Sequence, residues 1–483
     1  MSFNSLEFAV FLPVVFLVYW FVFGGSYRRQ NACIVAASYL FYGWWDFRFL
    51  GLMVLSTTVD FTLGLLIHRS DGPRLRKTFV VASVLLNLGL LGYFKYFNFF
   101  LDSFVDTFSL LGSNLDSWSI KIILPVGISF YTFQTLSYSI DIYRRKIVPT
   151  ADPLAFAAFV SFFPQLVAGP IERAADLLPQ MLRRRTFDYA AAVNGLRQIL
   201  WGLFKKVAVA DNCAIVVTDI FDNYGDYSGS TLLFGIVLFV AQIYCDFSGY
   251  SDIAIGTARL FGITLSRNFA YPQFSRSIAE FWTRWHLTLT NWFRDYLYRS
   301  LPGRKRDPVA TTLRIIAVFL ISGLWHGANW TFIVWGGLNG LLLVIPPLLG
   351  RRVQYTETIA PGRLLPSLSE FAAMVRVYLT GALLLVFFRS RTLTDALHYL
   401  GTIFSPSLFE PISFATWSGR NLLAVPLFAF MIGVEWLARN DQFALERIGL
   451  RWPPALRWSA YAMLLILTAA LARQQTEFIY FQF

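Results

Sequence analysis

Residues 313–349 read LRIIAVFLISGLWHGANWTFIVWGGLNGLLLVIPPLL and hold two strongly apolar runs, 313–325 and 330–349, with His326 between them. Because an α-helix rises about 1.5 Å per residue, the first run alone covers much of the thickness of a bilayer. An ionisable side chain at that depth indicates a functional site, although a histidine that only hydrogen-bonds two helices fits the same pattern. The stretch predicts two membrane spans with a candidate general base, His326, between them.

The composition extends this interpretation to the whole chain. The 483 residues are 56% hydrophobic and only 14% charged, whereas soluble domains are about 25% charged. We therefore expect an all-α fold, a polytopic transmembrane helical bundle that forms one integral membrane domain over residues 1–483. The clearest spans are predicted at 8–23, 31–45, 49–67, 78–94, 122–140, 232–244, 313–325, 330–349, 371–388, 422–437 and 461–472.

The basic residues predict the orientation of the chain. The net charge is +12, and the basic residues stand in short runs between apolar segments. Such runs are typical of cytoplasmic loops beside anionic lipid, so the lipid bilayer, and no nucleic acid, is the expected partner. They follow the first, third and fifth spans, at 28–29, 69–77 and 144–146, and the loops between are poorer in Lys and Arg. This alternation predicts that the N-terminus lies outside.

Three segments in the middle of the chain are irregular. Segment 154–169 contains Pro164 and ends in Ala-Gly-Pro, which is typical of a broken or re-entrant helix. Segment 195–221 is apolar but is interrupted by two lysines and an aspartate. Segment 277–300 mixes charged side chains with many aromatic rings. It is too charged to face lipid, so it is predicted to be interfacial or buried inside the bundle.

Of the other histidines, His286 is a second candidate for the site. Trp282, Trp285, His286 and Leu289 fall at positions i, i+3, i+4 and i+7, so they would share one face of a helix. A packed histidine on an aromatic face explains the pattern equally well. His68 and His398 lie beside basic turns and are expected to be solvated.

The stretch DFSGYSD, residues 246–252, places two carboxylates and several hydroxyls at the end of a predicted span. Its side chains Asp246, Tyr250 and Asp252 would line a polar cavity or pair with arginines. The alternative is that they only cap the end of a helix.

Several short stretches in the middle of the chain form a more specific pattern when they are taken together. They are LPVGISFY (124–131), FPQLVAGP (163–170), DFSGYSD (246–252), EFWTRWH (280–286), RDYLY (294–298) and GLWHGAN (323–329). In this order they resemble the membrane-bound O-acyltransferases, and within that family the bacterial branch of alginate O-acetylation membrane proteins.

This resemblance implies a fold, a site and an activity. The fold would have about eleven spans plus half-helices around a central tunnel. His326 would be the catalytic histidine and His286 the second position of the site, with acetyl-CoA as the donor and neither a cofactor nor a metal. The acetyl group would end on an exported exopolysaccharide, such as alginate or cellulose, with periplasmic acetyl-transfer proteins as partners and the bacterial inner membrane as location. The candidates for lining the tunnel are Trp325, Asn329, Asp246, Tyr250, Asp252, Trp285 and Arg284.

The implied mechanism assigns a role to each group. Neutral His326 takes the proton of the acceptor hydroxyl, Asn329 or a hydroxyl stabilises the oxyanion, and His286 orients the acceptor or the pantetheine arm. Basic segments such as 183–185 and 205–206 would attract the anionic donor. The rival interpretations are a transporter or flippase, since broken helices suit a permeation path, a scaffold of a polysaccharide export complex, and a transferase of D-alanine from a carrier protein.

Overall fold

The structure, a computed structural model, describes residues 1–110, 122–303, 307–350, 355 and 357–472. Throughout these residues the regular structure is helical, and no β-strand occurs among them. The prediction of an all-α protein is therefore confirmed. The chain forms two compact units, and the prediction of a single domain stays a prediction.

The first unit comprises Met1–Ala192 and Thr257–Leu265. Its helices are α1 (Leu6–Leu17), α2 (Tyr27–Asp46), α3 (Leu50–Arg69), α4 (Pro73–Leu91), α5 (Phe97–Leu110), α6 (Ile128–Tyr143), α7 (Pro153–Ser161), α8 (Phe163–Leu166) and α9 (Ala174–Met181). The break predicted in segment 154–169 is confirmed, because α7 ends at Ser161 and α8 covers only four residues.

The second unit comprises Val193–Gly256 and Ser266–Phe483. Its helices are α10 (Tyr189–Leu203), α11 (Asp211–Asp222), α12 (Gly229–Leu260), α13 (Ile278–Trp282), α14 (Leu287–Trp292), α15 (Pro308–His326), α16 (Trp330–Leu348), α17 (Leu368–Arg389), α18 (Leu393–Ile403), α19 (Gly419–Leu422), α20 (Ala424–Leu437) and α21 (Pro454–Leu471). A π-helix, Phe204–Ala210, joins α10 to α11, and another, Phe293–Tyr298, continues α14. Helix α10 begins, and α12 ends, among residues of the first unit.

Eight helical stretches of the described chain are long and apolar enough to cross a membrane. They are Tyr27–Arg69, Pro73–Ser109, Gly229–Leu260, Pro308–His326, Trp330–Leu348, Leu368–Arg389, Gly419–Leu437 and Pro454–Leu471. A shorter apolar helix, Leu6–Val22, precedes them. The chain is therefore a multi-pass membrane protein, as predicted, and the total of about eleven spans stays a prediction.

Helix α12 departs most from its prediction. It runs for 32 residues, and 83% of its most apolar 18-residue segment is buried inside the protein. The sequence predicted a span of less than half this length, and that boundary is wrong. The helix continues because Asp246 and Asp252 pair with Lys206 and Lys205, at 2.8 and 2.6 Å. Neither carboxylate therefore has to reach water for stabilisation.

The segment 277–300, predicted to be interfacial or buried, folds into α13, α14 and the π-helix that follows. Trp285 and His286 are buried, whereas Arg294 and Arg299 are exposed. The aromatic part of the segment thus lies in the interior of the second unit, and its basic end lies at the surface of that unit.

Candidate active site

His326, the last residue of α15, is buried among aromatic rings and is 4% exposed. Trp335 of α16 and Phe388 of α17 pack on its imidazole edge to face, at centroid distances of 5.2 and 5.4 Å. Trp325 packs on it from the preceding position, at 4.9 Å. Aromatic rings therefore pack on the imidazole from α16, from α17 and from the preceding residue.

Two glycines beside His326 bring α15 and α16 into close contact. A Cβ atom at Gly323 would overlap the backbone carbonyl of Phe332, and one at Gly327 would overlap the ring of the same residue. Glycine is needed at both positions because only hydrogen leaves room for this approach. The position of His326 is therefore fixed by the packing of two helices rather than by a flexible loop.

The side-chain amide of Asn329 holds the turn after His326 in place through two hydrogen bonds, one at its oxygen and one at its nitrogen. The oxygen accepts a hydrogen bond of 3.0 Å from the backbone N–H of Thr331 and so caps α16. The nitrogen donates a hydrogen bond of 3.0 Å to the carbonyl of Arg391, in the turn after α17. The amide thus holds the turn in place, and this geometry favours a positioning role for Asn329 over contact with an oxyanion.

His286 precedes α14 and is 1% exposed. Its backbone is in the left-handed region, with φ 43° and ψ 55°, an uncommon conformation that costs about 1–3 kcal/mol for such a residue and is enriched at functional sites. The imidazole packs on Phe247 at 4.6 Å and on Trp325 at 6.2 Å. Neither ring nitrogen has a hydrogen-bond partner in the described part of the chain. Buried polar groups are usually hydrogen-bonded, so an imidazole whose nitrogens have no partner in the described residues favours a role for His286 in binding a substrate.

Two cavities meet at His326. The wide cavity has a volume of about 310 Å³ and the narrow cavity a volume of about 60 Å³. His326, Trp282 and Trp285 line both, so these three side chains form the boundary between the cavities. His286 lines only the wide cavity. The volume of the wide cavity lies at the lower end of the range for small-molecule sites, about 300–1,000 Å³.

The wide cavity leads from the two histidines to a basic end. Along α15 its lining extends from His326 back to Ile315, three helical turns or about 16 Å. Tyr298 lines the cavity and contacts Arg314, the neighbour of Ile315, and Arg294 of the same π-helix lines the cavity four residues before Tyr298. Arg294 and Arg299 both pair with Asp295, at 3.1 Å, so two positive charges share one negative charge there. An anionic group is therefore attracted to this end.

The residues predicted to line a tunnel have different locations. Trp285 lines both cavities. The others, Trp325, Asn329, Asp246, Tyr250, Asp252 and Arg284, are not among the described residues that line either cavity. Arg284 pairs with Glu280 at 2.9 Å and donates to the carbonyl of Ala270 at 3.2 Å. Trp325 contacts both histidines from outside the cavities.

A cluster of buried charges explains where two of these carboxylates lie. Lys205 and Lys206 are each 3% exposed, in the π-helix between α10 and α11. Lys205 contacts Glu435 of α20 at 3.6 Å in addition to Asp252. Lys206 contacts Asp211 at 2.8 Å in addition to its partner on α12. The prediction that these lysines form a basic loop is wrong, because both are buried and pair with four carboxylates, three of them buried and that of Asp252 partly exposed.

Some residues of the cavities were missed by the sequence analysis. Gln273, Asn339 and Tyr378 line the narrow cavity, and Thr290 and Ser322 line the wide one. Asn339 could have been found, because it is a polar residue inside the apolar run of α16. The others carry no signal in the sequence that separates them from ordinary helix residues.

Comparisons with known proteins show which family the chain is similar to. The sequence model of the MBOAT, membrane-bound O-acyltransferase family matches residues 144–388, a segment that contains both histidines. The chain is 34% identical to the probable alginate O-acetylase AlgI of Pseudomonas putida over 100% of both chains. It is 37% identical to the protein of the same name from Pseudomonas aeruginosa, over 93% of this chain and 82% of that one. It is 30% identical to the peptidoglycan O-acetyltransferase of Helicobacter pylori, over 98% and 95% of the two chains.

Proposed function

The chain belongs to the membrane-bound O-acyltransferase family, and from this premise we propose that it passes acetyl groups from acetyl-CoA to an exported exopolysaccharide, with His326 as the general base. It is an O-acyltransferase and a multi-pass membrane protein. The identity of the donor, of the base and of the acceptor is proposed here. The main support for the proposal is the position of His326 where two cavities meet.

The reaction at His326 is an acyl transfer from sulfur to oxygen. An acceptor hydroxyl attacks the carbonyl carbon of the thioester, so a C–O bond forms and the C–S bond breaks. The imidazole takes the proton of the hydroxyl and returns it to the departing thiolate, which leaves an acetyl ester and a free thiol. His286, whose ring nitrogens have no partner in the described chain, orients the hydroxyl or the thioester by hydrogen bonds.

The wide cavity suits the donor. Its length of about 16 Å along α15 suits an extended pantetheine arm, and its walls are mostly apolar. The basic end at Arg294 and Arg299 attracts the phosphates of a coenzyme, which remain in water while the arm enters. A carrier protein presents the same arm, so a D-alanyl donor is the rival within this enzyme class.

The acceptor is proposed from the relatives. Their names give alginate and peptidoglycan as the polymers that are O-acetylated, and both offer sugar hydroxyls to an acyl donor. An exopolysaccharide of the alginate or cellulose kind is therefore the proposed acceptor here, and periplasmic acetyl-transfer proteins are the proposed partners. The proposed location is the bacterial inner membrane with the N-terminus outside, because the basic loops alternate along the first five spans.

The proposal is tested by the O-acetyl content of the exopolysaccharide from cells that carry the wild type or His326→Ala at equal abundance in the membrane. We expect the variant to lose at least about 100-fold in acetylation, the usual contribution of a general base, while polymer export continues. His398→Ala is the matched control, because His398 is exposed on α18. Acetylation should be normal in that variant.

Two other outcomes would count against the proposal. Normal acetylation in His326→Ala would remove this histidine from the mechanism. Loss of polymer export itself would favour a transporter or a scaffold of an export complex.

A further inference from the structure

A short segment between α12 and α13 pairs with the chain on both sides of His286. The backbone N–H of Ala270 donates a hydrogen bond of 2.9 Å to the carbonyl of Arg284, which precedes His286. The N–H of Leu287, the residue after His286, donates a hydrogen bond of 2.9 Å to the carbonyl of Asn268. The backbone of His286 is therefore held from either side, and a left-handed conformation persists only where the surrounding structure fixes it in this way.

The side chain of Asn268 adds two more connections, and the residue is fully buried. Its amide oxygen accepts a hydrogen bond of 3.0 Å from the hydroxyl of Thr288, in the first turn of α14. Its amide nitrogen donates a hydrogen bond of 3.2 Å to the hydroxyl of Ser251, on α12. Asn268 thus joins the two residues that follow His286 to α12, a long helix that is itself mostly buried.

The next residue of the segment, Phe269, extends this contact to the imidazole ring. Its ring stacks on His286 at a centroid distance of 6.4 Å and packs edge to face on Trp285 at 5.0 Å. It also packs on Phe247 of α12 at 5.0 Å, and Phe247 packs in turn on His286 at 4.6 Å. The segment that Asn268 fixes therefore sets the position of the ring of His286 as well as that of its backbone.

We propose that Asn268 is a positioning residue for the acyl transfer and that it acts through His286. Asn268 is not among the described residues that line either cavity at His326, so it does not act by touching a substrate there. The inference rests on the proposed function, in which the ring nitrogens of His286 orient the acceptor hydroxyl or the thioester. A misplacement of about 1 Å can cost about 100-fold in rate. The connections of Asn268 therefore determine kcat, because they fix where those nitrogens lie in the wide cavity.

A purely structural role of Asn268 leads to a different expectation. Loss of a buried, hydrogen-bonded amide lowers stability whether or not the amide positions a histidine. A structural residue should therefore reduce the amount of folded protein and leave kcat per folded molecule unchanged. A positioning residue should lower kcat itself, and should do so only while His286 has a side chain to be positioned.

The test combines Asn268→Ala with His286→Gly in the full-length protein. Membrane vesicles receive acetyl-CoA and de-O-acetylated exopolysaccharide from the same cells, and kcat is expressed per molecule that elutes as folded protein in size exclusion. With His286 present, we expect Asn268→Ala to lower kcat by at least about tenfold. In the His286→Gly background, the same substitution should change the remaining kcat by less than about twofold. Equal losses in both backgrounds would overturn the inference, and so would a wild-type kcat in Asn268→Ala.

Asn212→Ala is the matched control. Asn212 is as buried as Asn268, and its amide nitrogen donates to the carbonyls of Val207, Ala208 and Leu471. Neither Asn212 nor these three described residues line a cavity at the candidate site. The control should lose stability, with kcat per folded molecule as in the wild type. A loss of kcat as large as that in Asn268→Ala would show that any buried amide has this effect and would overturn the inference.

Ser251→Ala keeps the inference testable if Asn268→Ala does not fold. It removes only the acceptor of the amide nitrogen, so we expect a smaller loss of kcat, between about twofold and tenfold, which should disappear in the His286→Gly background. An unchanged kcat, or an equal loss in both backgrounds, would overturn the inference. A fully active His286→Gly would overturn it too, and the proposed function would still stand if His326→Ala abolished acetylation. No acetyl transfer by the wild type would contradict the proposed function itself.

Discussion

The side-chain nitrogen of Asn329 donates a hydrogen bond of 3.0 Å to the backbone carbonyl of Arg391. The bond ties the turn that follows His326 to the turn that follows α17. Asn329→Asp keeps the oxygen that caps α16 but loses the donor to Arg391. We expect kcat to fall between about tenfold and 100-fold with little change in KM, because a small displacement of the base is costly.

Asn329→Ala provides the comparison for this first prediction. It also loses the cap, so it should lower the free energy of unfolding by about 1 kcal/mol more than Asn329→Asp does. Initial rates and thermal unfolding in detergent separate the two effects. Wild-type kcat in Asn329→Asp would show that the bond to Arg391 does not position His326.

A second prediction uses the left-handed backbone of His286. Asparagine tolerates this conformation and keeps a donor and an acceptor, so His286→Asn should retain activity within about tenfold. Glycine relieves the strain but has no side chain, so His286→Gly should fold well and lose at least about 100-fold in kcat. Thermal unfolding checks that both variants are folded. An active glycine variant would reduce His286 to a packing residue.

A third prediction concerns the basic end of the wide cavity. Arg294→Ala should raise KM for acetyl-CoA about fivefold at low salt, which corresponds to about 1 kcal/mol for an exposed charge, and the effect should shrink as salt is added. S-acetyl-N-acetylcysteamine has the thioester but no phosphates, so its KM should not change. Arg451→Ala, at an exposed arginine of another connection, is the control. Equal effects on both donors would place the phosphates elsewhere.

A fourth prediction concerns the stability of the buried charges. Lys206→Met leaves Asp211 and Asp246 without their shared cation, which should destabilise the protein by about 3–5 kcal/mol. Adding Asp246→Asn should recover part of the lost stability, since the double variant no longer buries the negative charge of that carboxylate without a lysine partner. Thermal unfolding in detergent measures both variants. Lys77→Met, at an exposed lysine of α4, should change stability little, and an equally small effect of Lys206→Met would contradict the prediction.

A fifth prediction tests the orientation of the chain. The three native cysteines are buried, so a membrane-impermeant maleimide should label the wild type weakly. Arg48→Cys lies in the connection between α2 and α3, and Asp71→Cys lies between α3 and α4. With the N-terminus outside, intact cells should label position 48 and not position 71. The reverse pattern would invert the predicted topology.

The sequence singled out His326, which lines both cavities, for a physical reason. A single ionisable side chain between two apolar runs is visible without any knowledge of contacts, because a membrane penalises such groups. Asn339 carried the same kind of signal and was overlooked, since an uncharged amide stands out less in an apolar run. The left-handed backbone of His286 has no signature in the sequence.

The length of α12 could not be predicted from its own residues. Two aspartates in a row of apolar residues suggest that the helix ends there, unless their cationic partners are known. Those partners, Lys205 and Lys206, lie on a π-helix about forty residues earlier. The cavities were unpredictable for a similar reason. The face of α17 that contains Gly381 becomes a cavity wall only through its packing against α12, α13 and α16.

The buried pairing of α12 with Lys205 and Lys206 also constrains how the nascent chain enters the bilayer. A lone carboxylate at the bilayer centre costs about 2.5–3.5 kcal/mol, and α12 contains two. The lysines leave the ribosome before α12 does and are themselves unfavourable in lipid. We therefore expect the two segments to enter lipid as a neutralised pair, with the first held by the insertion machinery until the second has been synthesised.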